Sequence, residues 1–180
     1  DVSRIVALSG EQVLKPRYYR VIAGSSVSNL LLDNLKEDSN NRIVSGDLLS
    51  GEKIHSDGFL GFYDSTITVI KEGKEQEFLG WLKLGLDKFS ASRTFLSWLF
   101  LKKKYSLSAN MHGEERAYVM TGEYEKVFPM DIYPTQLIKS IMMEDVELME
   151  KLGIYEVVEE DFALCEFVCT SKMPVQSIIR

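Results

Sequence analysis

The sequence contains no hydrophobic run long enough to cross a lipid bilayer. Its longest largely apolar run, residues 95–101 (FLSWLFL), falls far short of the roughly 20 residues that a transmembrane helix requires. The chain nevertheless has 180 residues, of which 45% are hydrophobic and 27% charged, so it can bury a core as one domain or as two small ones. We expect a folded protein without a transmembrane segment, either soluble or peripheral to a membrane.

Positive charge is scarce as well. Lys and Arg number 21 against 27 Asp and Glu, which gives a formal net charge of -6. The basic residues are spread along the chain, whereas a nucleic-acid-binding protein needs a basic surface to neutralise phosphates. This composition excludes nucleic acid as an expected partner.

Residue types that carry catalysis or bind metals are few. The two histidines, His55 and His112, lie far apart and have no Cys or second His at ligand spacing, so no zinc site is predicted. His112 is followed by Glu114 and Glu115, which could orient it as a general base, although such a histidine is usually a surface residue. The chain has no nucleophile elbow, Walker loop or dinucleotide fingerprint. We therefore assign no catalytic residue and no metal ligand.

Only two cysteines occur, Cys165 and Cys169, which rules out a disulfide framework and favours a reducing compartment. Their C-x3-C spacing is the closing half of the ferredoxin run C-x2-C-x2-C-x3-C-P. The earlier cysteine positions are occupied by Glu159 and Phe162, and Thr170 replaces the proline. Two thiols cannot supply the usual four cluster ligands, so we interpret the segment as a degenerate cluster motif. On a helix the two thiols would share a face, which allows a thiol-redox role, but buried hydrophobic thiols are the simpler interpretation.

The first 77 residues predict a small sheet that holds one helix. The segments with β-branched and apolar character that end at turn signals are the predicted strands: Val2 to Leu8, Tyr18 to Ile22, Arg42 to Leu48, Gly58 to Tyr63 and Thr66 to Ile70. Between the second and third, Val27, Leu30, Leu31 and Leu35 have helical spacing, and Ser25 or Ser26 is a candidate cap. The adjoining Gly24-Ser25-Ser26 turn could hold an anion, although capping explains it sufficiently.

The rest of the chain predicts a connector followed by helices. Residues 78–105 have no clear period and are predicted as a connector with short helix, and Tyr118 to Met120 as a strand. Pro134 is placed to begin a helix, and Asp145 to Leu152 predicts a second helix that Gly153 ends in the left-handed conformation. Residues 174–180 begin like a further helix and then stop, and no initiator Met opens the chain. We therefore expect a fragment of a longer protein.

Several ordered motifs resemble one known family. They are Glu123 to Thr135 (EYEKVFPMDIYPT) and Glu159 to Cys165 (EEDFALC), with Arg42 to Gly51, Phe78 to Trp81 and Lys88 to Thr94 upstream. Together they resemble the A subunits of bacterial Na+-translocating NADH:quinone oxidoreductases over essentially the whole chain. The resemblance implies an α+β fold: a β-grasp-like soluble-ligand-binding domain at 1–77, a connector at 78–117, and at 118–180 a mostly helical region similar to a degenerate ferredoxin-like segment.

The resemblance also implies a function. Such a chain is expected to be a peripheral subunit, without its own cofactor, on the cytoplasmic face of the bacterial inner membrane. Its partners are the other subunits of the complex, which hold FAD, FMN, riboflavin and an iron-sulfur centre. Quinone is a further expected partner at the level of the complex, but no motif places a quinone pocket on named residues.

Two alternatives remain at the level of sequence. One is the iron-sulfur-binding C subunit of an Rnf-type electron-transport complex, against which the two missing cluster cysteines count. The other is a free-standing β-grasp module that binds a small ligand. Lys102, Lys103 and Lys104, near Trp98, form a local basic spot that we predict as a partner-docking site, with a solvated helix end as the simpler interpretation.

Overall fold

The chain folds as two compact units, residues 1–112 and 113–180. The structure is a computed structural model that describes residues 2–36, 40–73, 80–82, 84–91, 93–100 and 104–180. The first unit is built on a five-stranded mixed sheet and the second consists of short helices. This is the α+β architecture that we expected.

The sheet of the first unit has the strand order β2-β1-β5-β3-β4. Its strands are β1 (Ser3–Ser9), β2 (Arg17–Ile22), β3 (Asn41–Ser45), β4 (Glu52–Ile54) and β5 (Thr66–Lys71). β1 and β5 are parallel at the centre, and the remaining pairs are antiparallel. Two hairpins joined by a central parallel pair, with one helix between them in sequence, form the β-grasp arrangement.

Alternation along the strands decides which face packs against helix α1 (Ser28–Leu31). Because successive side chains of a strand point to opposite faces, every second residue of β1 and β5 faces α1. The core on this face consists of Val6, Leu8, Val13, Val27, Leu31, Ile43, Ile67 and Val69. Gly10 follows β1 with a φ of 119°, and a Cβ there would overlap the carbonyl of Val69. Glycine is therefore required where the chain leaves β1 beside β5.

The sequence was wrong about the extent of several elements in this unit. The predicted strand 58–63 has only an isolated bridge between Ser26 and Phe59, and β4 was missed. β3 ends at Ser45 because Gly46 adopts a φ of 95° and Asp47 accepts hydrogen bonds from the following turn. The helix α1 ends at Leu31, since Leu35 forms a bridge with Val13 instead. Short 3-10 turns occur at Gly80–Leu82 and Leu96–Leu99, whereas Phe78 and Leu79 lie outside the described residues.

The second unit contains five α-helices within its described residues, with short 3-10 helices at Ile154–Glu156 and Glu159–Phe162. The α-helices are α2 (Tyr124–Val127), α3 (Pro134–Met142), α4 (Val146–Lys151), α5 (Ala163–Val168) and α6 (Val175–Ile179). The predicted pair α3 and α4 is present: Asp145 Oδ1 accepts a hydrogen bond from Leu148 N at 3.1 Å, and Gly153 has a φ of 88°. The predicted strand at 118–120 is absent, because Tyr118 packs its ring against the helical core. None of the described helices has the length and apolar character needed to span a bilayer.

One ion cluster connects β3, β4 and the end of β5. Glu72 accepts hydrogen bonds from Arg42 Nη2 at 2.6 Å and from Lys53 Nζ at 2.9 Å, and its side chain is only 12% exposed. These hydrogen bonds, first that of Arg42 and then that of Lys53, lower the pKa of Glu72 from 4.5 to about 2. The ionised carboxylate therefore helps to hold the short edge strand β4 on the sheet.

We predict that Glu72→Gln destabilises the first unit at neutral pH by roughly 1–2 kcal/mol, because charge-assisted hydrogen bonds are lost. Since the folded pKa lies below the unfolded one, the contribution of Glu72 is complete above pH 4.5 and disappears as the pH falls toward about 2. Urea unfolding measured across this range should show a pH dependence that is weaker in the variant. Glu52→Gln, on the exposed part of β4, is the matched control. An unchanged pH dependence in Glu72→Gln would contradict the prediction.

Candidate functional site

The two thiols of the cluster-like motif lie in the core of the second unit. Cys165 is on α5 and is 0% exposed, and Cys169 follows the end of that helix and is 2% exposed. Because α5 ends at Val168, the pair does not share a continuous helical face, which corrects the sequence-based expectation. Both side chains nevertheless pack in one cluster with Tyr124, Leu137, Ile138, Phe162 and Val175.

Hydrogen bonds hold Cys169 within this core. Tyr124 Oη donates to Cys169 Sγ at 2.8 Å, and Met173 N donates to the same sulfur at 3.4 Å. Cys165 Sγ lies 4.0 Å from the carbonyl oxygen of Tyr124, to which it donates a long, weak hydrogen bond. The backbone and the side chain of Tyr124 are thus the common partner of both thiols.

The electrostatics of this core favour neutral groups. Burial raises the pKa of the Cys165 thiol to about 12, and the negative charge of Glu125 acts in the same direction. Burial also raises the pKa of Tyr118 to about 12 and, together with the hydrogen bond to Cys169, raises that of Tyr124. Because thiolates are the nucleophiles and metal ligands, a protonated Cys165 is poorly suited to redox chemistry.

The other positions of the cluster motif have structural contacts. Phe162 is fully buried, and its ring centroid lies 4.7 Å from that of Phe128. Glu159 accepts a hydrogen bond from Arg180 Nη2 at 2.7 Å. The described residues contain no group of three His, Cys, Asp or Glu side chains arranged to hold a metal ion. The two motif positions that are cysteines in a ferredoxin are thus occupied by Phe162, which packs on another ring, and by Glu159, which forms a hydrogen bond with Arg180.

The structure places the other candidate residues on surfaces. His55 and His112 are exposed, and so is Lys104, while Lys102 and Lys103 lie outside the described residues. The hydroxyls of the Gly24-Ser25-Ser26 turn are used within the fold. Ser25 Oγ donates to the carbonyl oxygen of Ile22 at 2.7 Å, and Ser26 Oγ accepts from Ser28 N at 3.3 Å. These contacts use both hydroxyls within the turn. The N-cap of α1 is Val27, which makes no side-chain capping hydrogen bond, so the predicted cap at Ser25 or Ser26 was wrong.

A cavity of about 130 Å³ lies in the first unit beside this turn. Its walls come from β1, from the end of β2, from α1 and from the loop at Leu60 and Phe62. Arg4 Nη1 donates to the carbonyl oxygen of Phe62 at 2.6 Å, and the guanidinium carbon lies 5.4 Å from the Phe62 ring centroid. The lining is largely apolar.

Sequence reasoning missed both Tyr124 as the partner of the thiols and the cavity. Tyr124 lies 45 residues before Cys169, and no local pattern connects two positions at that distance. The only available signal was that Tyr124 falls in the EYEKVFPMD motif. The cavity residues come from three separate segments, so only folding brings them together.

The fold and these contacts define the class of protein: a β-grasp module followed in sequence by a helical unit with two buried thiols. A family model described as the NQRA C-terminal domain matches residues 5–56. The chain is 43% identical over 178 residues to the A subunit of the Na(+)-translocating NADH-quinone reductase of Yersinia pestis bv. Antiqua, covering 98% of this chain and 40% of the relative.

Two further relatives carry the same name. The protein from Pasteurella multocida is 42% identical over 181 residues, and that from Rhodopirellula baltica is 40% identical over 181 residues; each alignment covers 100% of this chain and 40% of the relative. The chain is therefore similar over nearly its whole length to A subunits of Na+-translocating NADH-quinone reductases. It spans 40% of the length of the curated relatives that it matches.

We predict that the thiols of the folded protein react very slowly with a chromogenic disulfide reagent at about pH 8. A pKa of about 12 instead of 9.0 leaves roughly a thousandfold less Cys165 thiolate, and burial blocks access to both sulfurs. Both thiols should react promptly in guanidinium chloride. Cys169→Ala and Cys165→Ala assign each reaction to one sulfur. A thiol that reacts in the folded state at the rate of the denatured protein would disprove the prediction.

Proposed function

We propose that the chain is part of a peripheral, cofactor-free subunit of a respiratory complex that couples NADH oxidation and quinone reduction to Na+ export. The observation that carries this proposal is the 43% identity over 98% of the chain to a protein named as the A subunit of such a reductase. The proposed role of the chain is structural, with docking on integral membrane partners at the cytoplasmic face of the inner membrane. Quinone association belongs to the same proposal, without assigned residues.

The geometry of the second unit supports a role without a cofactor in this chain. The hydrogen bonds to Cys169 Sγ and the packing of Phe162 occupy the motif positions that would bind a cluster in a ferredoxin-like protein. In this proposal FAD, FMN, riboflavin and the iron-sulfur centre belong to other subunits. Electron transfer then takes place in those subunits, and the chain contributes to their arrangement.

The test is affinity purification of the complete polypeptide from detergent-solubilised native membranes. We expect integral membrane proteins to copurify with it, and we expect the separated polypeptide to contain neither flavin nor iron. Washing the membranes with alkaline carbonate should release it, because a peripheral protein is held without a membrane span. Recovery only from the soluble fraction, without partners, would favour the free-standing ligand-binding module. Bound iron would favour the Rnf-type alternative.

The predicted docking site at Lys102, Lys103 and Lys104 belongs to this proposal. Replacement of all three by Glu should weaken assembly, because reversed charges repel an acidic partner surface or anionic headgroups. The measurement is the amount of partner recovered at about 50 and about 200 mM salt, where screening differs. Replacement by Arg preserves the charge and is the matched control. Equal recovery with Glu and with Arg would remove this docking site from the proposal.

A further inference from the structure

On the outer side of the edge strand β2, the backbone N-H and C=O groups form no hydrogen bonds to another described strand. Among the described strands, β2 lies at the end of the sheet and pairs only with β1. Ala23 N donates to Val2 O at 2.9 Å, which makes Val2 and Ala23 a hydrogen-bonded antiparallel pair. Because such pairs alternate with non-hydrogen-bonded pairs, Tyr19 and Val21 direct their backbone groups toward β1.

The same alternation directs the N-H and C=O groups of Tyr18 and Arg20 away from the sheet. Independent support comes from β1, where Ala7, the partner of Tyr18, donates its N-H to Ser65 O on the opposite side at 2.9 Å. Tyr18 is 79% exposed and Ile22 is 62% exposed. β2 thus presents an open ladder of the kind that accepts an additional strand.

The strand is fixed in position before any partner binds. Asn34, which is 4% exposed, accepts a hydrogen bond from Lys15 N at 2.9 Å and donates through Nδ2 to Lys15 O and to Tyr19 Oη. Arg17 Nε also donates to Tyr19 Oη at 2.7 Å. These contacts reduce the ordering cost of adding a strand at this edge.

The charge around β2 is opposite in sign to that of the whole chain. Residues 12–32 contain Lys15, Arg17 and Arg20 and no acidic residue, although the net charge of the chain is -6. A second copy of β2 would bring arginines against arginines, which disfavours pairing of this edge with itself. The edge therefore complements an acidic segment.

The cavity of about 130 Å³ adjoins the end of this strand. Val21, Ile22 and Ala23 contribute to its wall, together with Val27 and Leu30 on the α1 side of the sheet. A cavity of about 150 Å³ lined by aliphatic and aromatic groups holds a benzene-sized group, so this one accommodates a single apolar side chain. In strand addition, backbone hydrogen bonds give affinity and pockets for alternate side chains give specificity.

We propose that β2 binds an extended acidic segment of a partner subunit as a sixth strand of the sheet, with one apolar side chain of that segment in the adjoining cavity. This inference rests on the proposed function, because it assigns a surface to the docking role. Its occupant is a segment of another protein and not a part of the same polypeptide, a second copy or a small molecule.

Hydrogen exchange of the complete polypeptide, alone and in the purified complex, tests the backbone pairing. With resolution to single residues, the amides of Tyr18 and Arg20 should exchange rapidly in the isolated polypeptide and at least about tenfold more slowly in the complex. The amides of Tyr19 and Val21 face β1 and should be protected in both samples, which provides an internal control. Protection of Tyr18 and Arg20 in the isolated polypeptide would mean that its own chain covers β2. Equally fast exchange in both samples would mean that no strand is added. Either result overturns the proposal.

Two variants test the charge and the cavity. Arg20→Glu should reduce partner affinity roughly tenfold or more, and Leu30→Phe should do so by filling the cavity from its wall. Arg116→Glu, an exposed charge reversal in the second unit, is the matched control. Thermal unfolding confirms that each variant is folded before its affinity is compared.

Unchanged affinity in a folded Arg20→Glu variant would overturn the proposal that the bound segment is acidic. Unchanged affinity in a folded Leu30→Phe variant would overturn the proposal that an apolar side chain of that segment occupies the cavity. A small molecule retained by the complex and lost in Leu30→Phe, with assembly intact, would assign the cavity to that molecule instead. If the unmodified polypeptide assembles normally in these experiments, the proposed function stands even where the strand proposal fails. If the unmodified polypeptide finds no partner, the proposed function itself fails.

Discussion

The parallel pairing of β1 with β5 is the constraint on which the first unit depends. It joins the β1-β2 hairpin to the half of the sheet that contains β3, β4 and β5, and Ile67 and Val69 of β5 are completely buried. Parallel neighbours cannot be joined by a tight turn, so the intervening chain must supply α1, β3 and β4. The same pairing places β2 and β4 at the edges. The short β4 is held by the ions around Glu72, whereas no described strand pairs with the outer edge of the longer β2.

The second unit contains the incomplete cluster motif within its hydrophobic core. A cluster requires ionised thiolates around a space, whereas aromatic side chains, among them Phe162 and Tyr124, pack in one core with the two sulfurs. Burial favours the neutral thiol and thereby opposes the chemistry that the motif suggests. The remaining cysteines thus contribute to packing, which is consistent with a structural role in the proposed complex.

The sequence predicted strongly periodic elements better than irregular ones. The segments at β1, β2, β5, α3 and α4 have clear alternation, helical spacing or capping residues, and the structure contains all of them. The predicted strands at 58–63 and 118–120 were wrong, because short apolar stretches fit a loop that packs on a core as well as they fit a strand. β4 was missed because three residues are too few to show a period.

The sequence by itself determined the α+β class, the family resemblance and the incomplete cluster motif, since these depend on residue types and their local spacing. It also placed Lys15, Arg17 and Arg20 in a stretch without acidic residues. Only the tertiary structure decided that Tyr124 binds Cys169, that an apolar cavity adjoins β2, and that Tyr18 and Arg20 direct their backbone groups outward. These features arise from strand register and from contacts between distant segments, which no local pattern of residues encodes.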